Sequence, residues 1–143
     1  MNNKRIGDAG EYFVAGELSR RNYIVALTTS GTEYFDLLVV SPTSNKKYAI
    51  QVKTTTNKRS WLLSKKNEDI VDEDFFYVFV YLNNLELPTY YIVPSEVVAN
   101  GIIKSHQEWL ELPNKKGGLH KDNSIREFKN IHDKYLNNWD LLK

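Results

Sequence analysis

Residues 48–56 read YAIQVKTTT. As an extended strand this stretch places Tyr48, Ile50 and Val52 on one face and Ala49, Gln51 and Lys53 on the other, because successive side chains of a strand point to opposite sides. The first face suits a core. The second sets an amide and an ammonium two residues apart on an otherwise apolar strand. Upstream, FDLLVVS (35–41) predicts a second strand, with Phe35, Leu37 and Val39 facing opposite to Asp36, Leu38 and Val40. Between the two, PTSNKK (42–47) is rich in turn formers and predicts a hairpin.

Working outward, residues 4–21 predict a helix whose Gly7, Glu11, Val14 and Leu18 share one face. Asp8 near its start suits the helix dipole as a cap. Glu17 points away from Glu11, to solvent or to Arg20 and Arg21. Asn22 ends the helix, YIVALTT begins a strand, and SGTEY is a turn. After residue 56, NKRS is a basic turn and WLLS a short strand, and KKNEDIVDED is a polar connector. FFYVFVYL, apolar on both faces, predicts a central buried strand, with PTYYIVP as its partner. The aromatics Tyr77, Phe79, Tyr81, Tyr90 and Tyr91 fit core and cross-strand pairs. Ser95 caps a predicted helix running to Trp109, and LPNKKGGLHKDN (112–123) is a loop. The tail is expected to be partly helical, since Phe128, Ile131, Tyr135, Trp139 and Leu142 recur at helical spacing. A helix, five strands and a helix predict an α/β architecture with a mixed β-sheet flanked by helices.

The composition is that of a soluble globular protein: 143 residues, 41% hydrophobic and 26% charged. This length suits a single domain, 1–143, with its own core. The absence of cysteine excludes a disulfide framework and cysteine-ligated zinc, and fits a cytoplasmic setting. No signal peptide and no run of roughly 18 apolar residues is expected, so no membrane partner. The net charge of +1 conceals segregation: residues 1–66 carry +6, 67–112 carry −8 and 113–143 carry +3. A basic surface of this kind can meet phosphates, and it can equally serve as a solvated face.

Glu11 lies on a core-facing helix stripe, Asp36 interrupts an apolar strand, and Gln51 and Lys53 share a face of the next. Hairpin pairing of 33–41 with 47–56 brings the strand residues together, and the helix is expected to lay Glu11 over the same face. A buried Asp36–Lys53 ion pair is the plain structural explanation. Two carboxylates and an amide around one lysine also form a hard-oxygen set for Mg²⁺.

Glu11 following Gly7 and Gly10 on a helix, Asp36 opening FDLLV, and QVK in YAIQVKTT resemble the PD-(D/E)XK nuclease superfamily. That superfamily has the restriction-endonuclease-like fold and includes restriction enzymes, Holliday-junction resolvases and some homing endonucleases. The likeness covers residues 5–56. It implies a Mg²⁺-dependent DNA endonuclease, with Mn²⁺ as a substitute, and a catalytic core over about 5–94 followed by a helical part over about 95–143. It further implies Asp36 as principal metal ligand, Glu11 as supporting acid and Lys53 as catalytic lysine. Gln51 stands where the superfamily usually has Asp or Glu, as it does in some bacterial homing endonucleases. Its carbonyl can join the metal site but adds no charge.

Lys58, Arg59, Lys65 and Lys66 flank this constellation, and Lys115, Lys116 and Lys121 lie in the Gly-containing loop. All are candidate contacts to the DNA backbone. His120 is a weak candidate base, and His106 and His132 lack metal-ligand spacing. One site per chain cuts one strand, so duplex cleavage implies a homodimer or higher homo-oligomer. The alternatives are a non-catalytic DNA-binding module of the same fold and a protein-interaction domain stabilised by an Asp36–Lys53 pair.

Overall fold

The computed structural model describes residues 2–29, 34–57 and 59–143. Helix α1 (Asn3–Arg20) starts at Asn2, whose side chain accepts the Arg5 backbone N–H at 2.9 Å. Asn2 is therefore the cap, and Asp8 instead pairs with Lys4 at 2.9 Å. Glu17 accepts from both Arg20 and Arg21. The helix stops where Asn22 adopts φ 68°, a left-handed conformation that Asn tolerates. Its buried stripe is Gly10, Val14 and Leu18.

Five strands form a mixed sheet in the order β1 (Ile24–Leu27), β2 (Leu37–Val40), β3 (Lys47–Thr55), β5 (Phe75–Tyr81), β6 (Thr89–Pro94). The hairpin expected at 42–47 joins β2 and β3 antiparallel, with Leu37 opposite Ile50 and Val39 opposite Tyr48. Strands β3 and β5 run parallel, with Gln51 beside Tyr77 and Lys53 beside Phe79. Parallel neighbours need a crossover. Here it runs through strand β4 (Trp61–Ser64) and a 3-10 turn (Lys65–Asp69).

The crossover makes a second layer. Strand β4 does not extend the main sheet but pairs with β7 (Ile125–Phe128), Trp61 opposite Phe128. Helix α2 (Ser95–Glu111) packs beside this two-stranded ribbon. On the α1 side of the main sheet, Val14 and Leu18 meet Leu37, Val39, Ile50, Val78 and Ile92. On the α2 side, Trp61, Tyr77, Phe79, Val98, Ile102 and Phe128 form a second core. Complete burial of each large side chain is worth about 1.5–3 kcal/mol, so both layers contribute substantially. Trp61 Nε1–H donates to the Val80 carbonyl at 3.0 Å and registers the ribbon on the sheet.

Two further sequence expectations are corrected. The tail is helical only in short 3-10 turns at Asp133–Tyr135 and Trp139–Leu142, which follow strand β7, and it forms no α-helix. Asn130 (φ 55°) and Asn137 (φ 50°) are left-handed and interrupt any continuous helix, while short extended and 3-10 pieces give the same apolar spacing. Ser95 opens α2 but does not cap it. Its hydroxyl donates to the Asp72 carbonyl at 2.7 Å and accepts the Asp72 N–H at 2.9 Å, tying the 3-10 connector to the helix. Much of the SGTEY turn lies outside the described residues. No helix among the described residues is long and apolar enough to cross a membrane.

Candidate active site at the split between two strands

The β2–β3 ladder ends with the Asp36 N–H donating to the Ile50 carbonyl at 2.8 Å. Beyond that point β2 departs, and the Asp36 carbonyl accepts from Thr28 N at 2.9 Å. The Val52 N–H would be left without a strand partner on that side, and Asp36 Oδ2 accepts it at 2.7 Å. The carboxylate is thus fixed in the gap where the strands part.

Helix α1 approaches this gap closely. A Cβ added to Gly10 would fall 1.8 Å from Thr54 Oγ1 on β3, and the buried Thr54 hydroxyl finds no hydrogen-bond partner among the described residues. The approach carries Glu11 to Asp36. Glu11 is raised from 4.5 to about 7, first by burial, then by sharing a hydrogen bond with the Asp36 carboxyl and by its charge, and lastly by Asp8. A neighbouring carboxylate thus favours the protonated form of Glu11.

The two sides of the sheet contribute differently from the sequence expectation. Helix α1 covers the Tyr48–Ile50–Val52 face, so Glu11 does not lie over the face of Gln51 and Lys53. Glu11 meets Asp36 from the α1 side, whereas Gln51 and Lys53 project on the α2 side. The strand split joins the two.

Lys53 is half-buried, and burial is the main cause lowering its ammonium pKa. The nearby charge of Lys66 lowers it further, and Asp36 opposes both. Among the described residues Lys53 forms no ion pair within 4.0 Å, so the Asp36–Lys53 salt bridge foreseen from the sequence is not made. Gln51 Oε1 accepts from Asn67 Nδ2 at 3.3 Å. Asn67, itself buried, also donates to the Tyr77 hydroxyl at 3.0 Å. Sequence reading passed over Asn67 and took Tyr77 only for a core aromatic. The one available signal was Ser64 three residues before Asn67, a helix-start spacing whose polar side chain had to be satisfied somewhere.

The cationic candidates separate. Lys65 and Lys66 stand exposed on the 3-10 turn, and the Lys65 N–H donates to the Ser124 carbonyl at 2.9 Å, bringing the end of the 112–123 loop beside them. Lys115, Lys116 and Lys121 are exposed on that loop. It is fastened to α2 by His120 stacked 4.0 Å from Trp109 and by His106 Nε2 bonded to Asp122 at 2.7 Å. His120 is thus a packing residue. Arg59 lies at the opposite end of β4, its guanidinium 5.8 Å from the centre of the Tyr81 ring. Lys58 lies outside the described residues.

Among the described residues no group of three or more His, Asp or Glu converges. The donor set at the split is two carboxylates, one of them holding on to its proton, beside an amide. Such a set could hold a hard divalent cation, which would remove the repulsion between Glu11 and Asp36.

No protein-family model matches the chain, and no curated protein matches its sequence. Among solved structures it is similar to a bacterial homing endonuclease, I-Ssp6803I, at 14% identity and a TM-score of 0.57, over 99% of this chain and 91% of that one. With its five-stranded mixed sheet and two helices, the chain has an endonuclease-like fold.

Proposed function

We propose that the protein is a metal-dependent DNA endonuclease that hydrolyses phosphodiester bonds. The observation that carries this reading is the abutment of Glu11 and Asp36 at a strand split, next to a half-buried lysine that has no carboxylate partner within ion-pair distance among the described residues. Its fold likeness to a homing endonuclease supports it.

In this reading Asp36 and Glu11 would hold Mg²⁺ or Mn²⁺ close to Gln51, and the bound cation would polarise the scissile phosphate and acidify a water. Asp36 cannot swing, because the Val52 N–H holds one of its oxygens. Glu11 gives up its proton when a cation arrives. Lys53 places an ammonium where negative charge builds in the pentavalent state, and its burial strengthens that interaction by excluding water. Lys65, Lys66 and the loop lysines contact the DNA backbone, and duplex cutting uses two copies of the chain.

A second reading, a DNA-binding module of this fold without catalysis, is favoured by one feature: Gln51 is neutral where a third charge would tighten metal binding. Incubation of supercoiled and branched DNA with the protein in Mg²⁺, Mn²⁺ or EDTA separates the two. Metal-dependent nicking that is lost in Asp36→Asn and Lys53→Met supports the nuclease. DNA binding without nicking in either metal supports the module.

A further inference from the structure

The polarity of the Gln51 side chain is determined by a hydrogen-bond chain that starts at a backbone group. The Ser64 N–H can only donate, and its partner at 3.0 Å is Asn67 Oδ1. The Ser64 hydroxyl donates to the same oxygen at 3.2 Å. This atom of Asn67 must therefore be the carbonyl oxygen, and its amino group must face the other way. That amino group reaches the Tyr77 hydroxyl at 3.0 Å and Gln51 at 3.3 Å. An amino donor requires an acceptor, so the Gln51 atom facing it is Oε1.

The position of Asn67 fixes where the rest of Gln51 points. Gln51 and Tyr77 are neighbours across the β3–β5 pair, and Asn67 bonds both, so it sits over the β5 side of Gln51. Strand β2 and Asp36 are on the other side of β3. With the oxygen turned to β5, the Gln51 amino group is the end left to turn towards the split.

We propose that Asn67 is the positioning residue for Gln51, and that through it Gln51 presents an N–H donor, not a metal ligand, to an anionic oxygen at the strand split. Resting on the nuclease reading, this assigns Gln51 to a non-bridging phosphate oxygen and leaves the cation to Asp36 and Glu11. It accounts for an amide where a carboxylate would be the stronger cation ligand: a carboxylate cannot donate. Asn67 is well held for the task, being 7% exposed and bonded through both ends of its amide.

The test follows the side-chain amide protons of Gln51 by NMR in ¹⁵N-labelled protein without DNA or metal, assigned with Gln51→Leu. Asn67→Asp is isosteric and keeps an acceptor for Ser64, but turns only oxygens towards Gln51. The Gln51 amide must then invert and donate to the new carboxylate, so its protons shift and exchange more slowly with solvent than in the wild type. Tyr77→Phe, which leaves the Ser64 anchor intact, keeps the wild-type resonances. Unchanged Gln51 resonances in Asn67→Asp would overturn the inference, as would wild-type protons already protected from exchange and released by Asn67→Ala. In the cleavage assay Asn67→Ala, with DNA affinity retained, lowers kcat by about 10- to 100-fold. The NMR arm needs no cleavage, so a wild type that cuts nothing defeats the nuclease reading alone. A cutting wild type with an uninverted amide in Asn67→Asp defeats this inference alone.

Discussion

Asp36 and Val52 are joined by a 2.7 Å hydrogen bond from the Val52 backbone N–H to the Asp36 carboxylate, where β2 has already left β3. The same carboxylate interacts with Glu11. One side chain thus closes the sheet and forms the charged half of the candidate site. Its two roles are separable by substitution.

Asp36→Asn keeps an oxygen for the Val52 N–H, whereas Asp36→Ala leaves that group unpaired. The alanine variant is expected to lose roughly 1–3 kcal/mol of stability, and the asparagine variant clearly less. Both are expected to lose cleavage. Denaturant unfolding beside the plasmid assay reads the two effects, and equal destabilisation by both substitutions would remove the structural role assigned to this bond.

Glu11 makes the metal-free protein sensitive to pH. Its folded-state value of about 7 lies above the ordinary 4.5, so between these values the folded chain keeps a proton that the unfolded chain has released. Stability therefore falls as pH rises through that window, and the loss is complete above about 7. Solvent around the side chain keeps the effect modest. Thermal midpoints in EDTA are expected to decline less steeply between these limits in Glu11→Gln than in the wild type. Mg²⁺ should raise the wild-type midpoint most at the alkaline end, where Glu11 has given up its proton.

Lys53 distinguishes a site from a scaffold. A buried ion pair broken at one partner costs roughly 3–5 kcal/mol. Lys53 makes no such pair among the described residues, and its burial disfavours its charge. Lys53→Met, which keeps the stem and removes the ammonium, is expected to unfold at the same or higher denaturant concentration while losing cleavage. A large loss of stability would restore the protein-interaction reading.

Much of this was legible beforehand. The alternation in 48–56, the PTSNKK hairpin and the uniform apolarity of FFYVFVYL led to β2, β3 and β5 because local patterning and burial agree there. The position of Glu11 was half legible. Its meeting with Asp36 followed from placing Glu11 on one helix face with Gly7, Val14 and Leu18, but the side of the sheet did not, since helix handedness over a sheet is set by connections beyond any local period. The tail misled because spacings of three and four residues are shared by α-helices and by successive 3-10 turns. The role of Asn67 was not legible beyond its spacing from Ser64, because its partners Gln51 and Tyr77 are distant in sequence and meet only through the parallel crossover.

The glycines of α1 give a paired prediction about how Glu11 is placed. A Cβ on Gly10 would meet Thr54 Oγ1 at 1.8 Å and Thr54 Cβ at 2.9 Å, and a β-branched side chain on a strand has little room to yield. Gly10→Ala is expected to push α1 off β3, cost about 1–3 kcal/mol and weaken Mg²⁺ binding by displacing Glu11. At Gly16 nothing lies within 4 Å, and alanine should stabilise the helix by about 0.8–1.0 kcal/mol with metal binding unchanged. Calorimetry of Mg²⁺ binding on the folded variants checks both halves.

In the nuclease reading Lys66 would join a DNA surface to the chemistry, because its charge lowers the proton affinity of Lys53 while its own side chain is exposed. Lys66→Ala should therefore act twice. The slope of log binding constant against log salt should become shallower by about 1, the signature of one phosphate contact removed. The alkaline limb of the pH–rate profile, where Lys53 loses its proton, should move to higher pH because a like charge has been taken away. Arg59→Ala, at the far end of β4 and over the Tyr81 ring, should leave that limb in place, since Lys53 does not feel its charge. A Lys66 variant that changes the salt slope but not the limb would assign Lys66 to the backbone alone. One that changes neither would take the 3-10 turn out of the DNA surface.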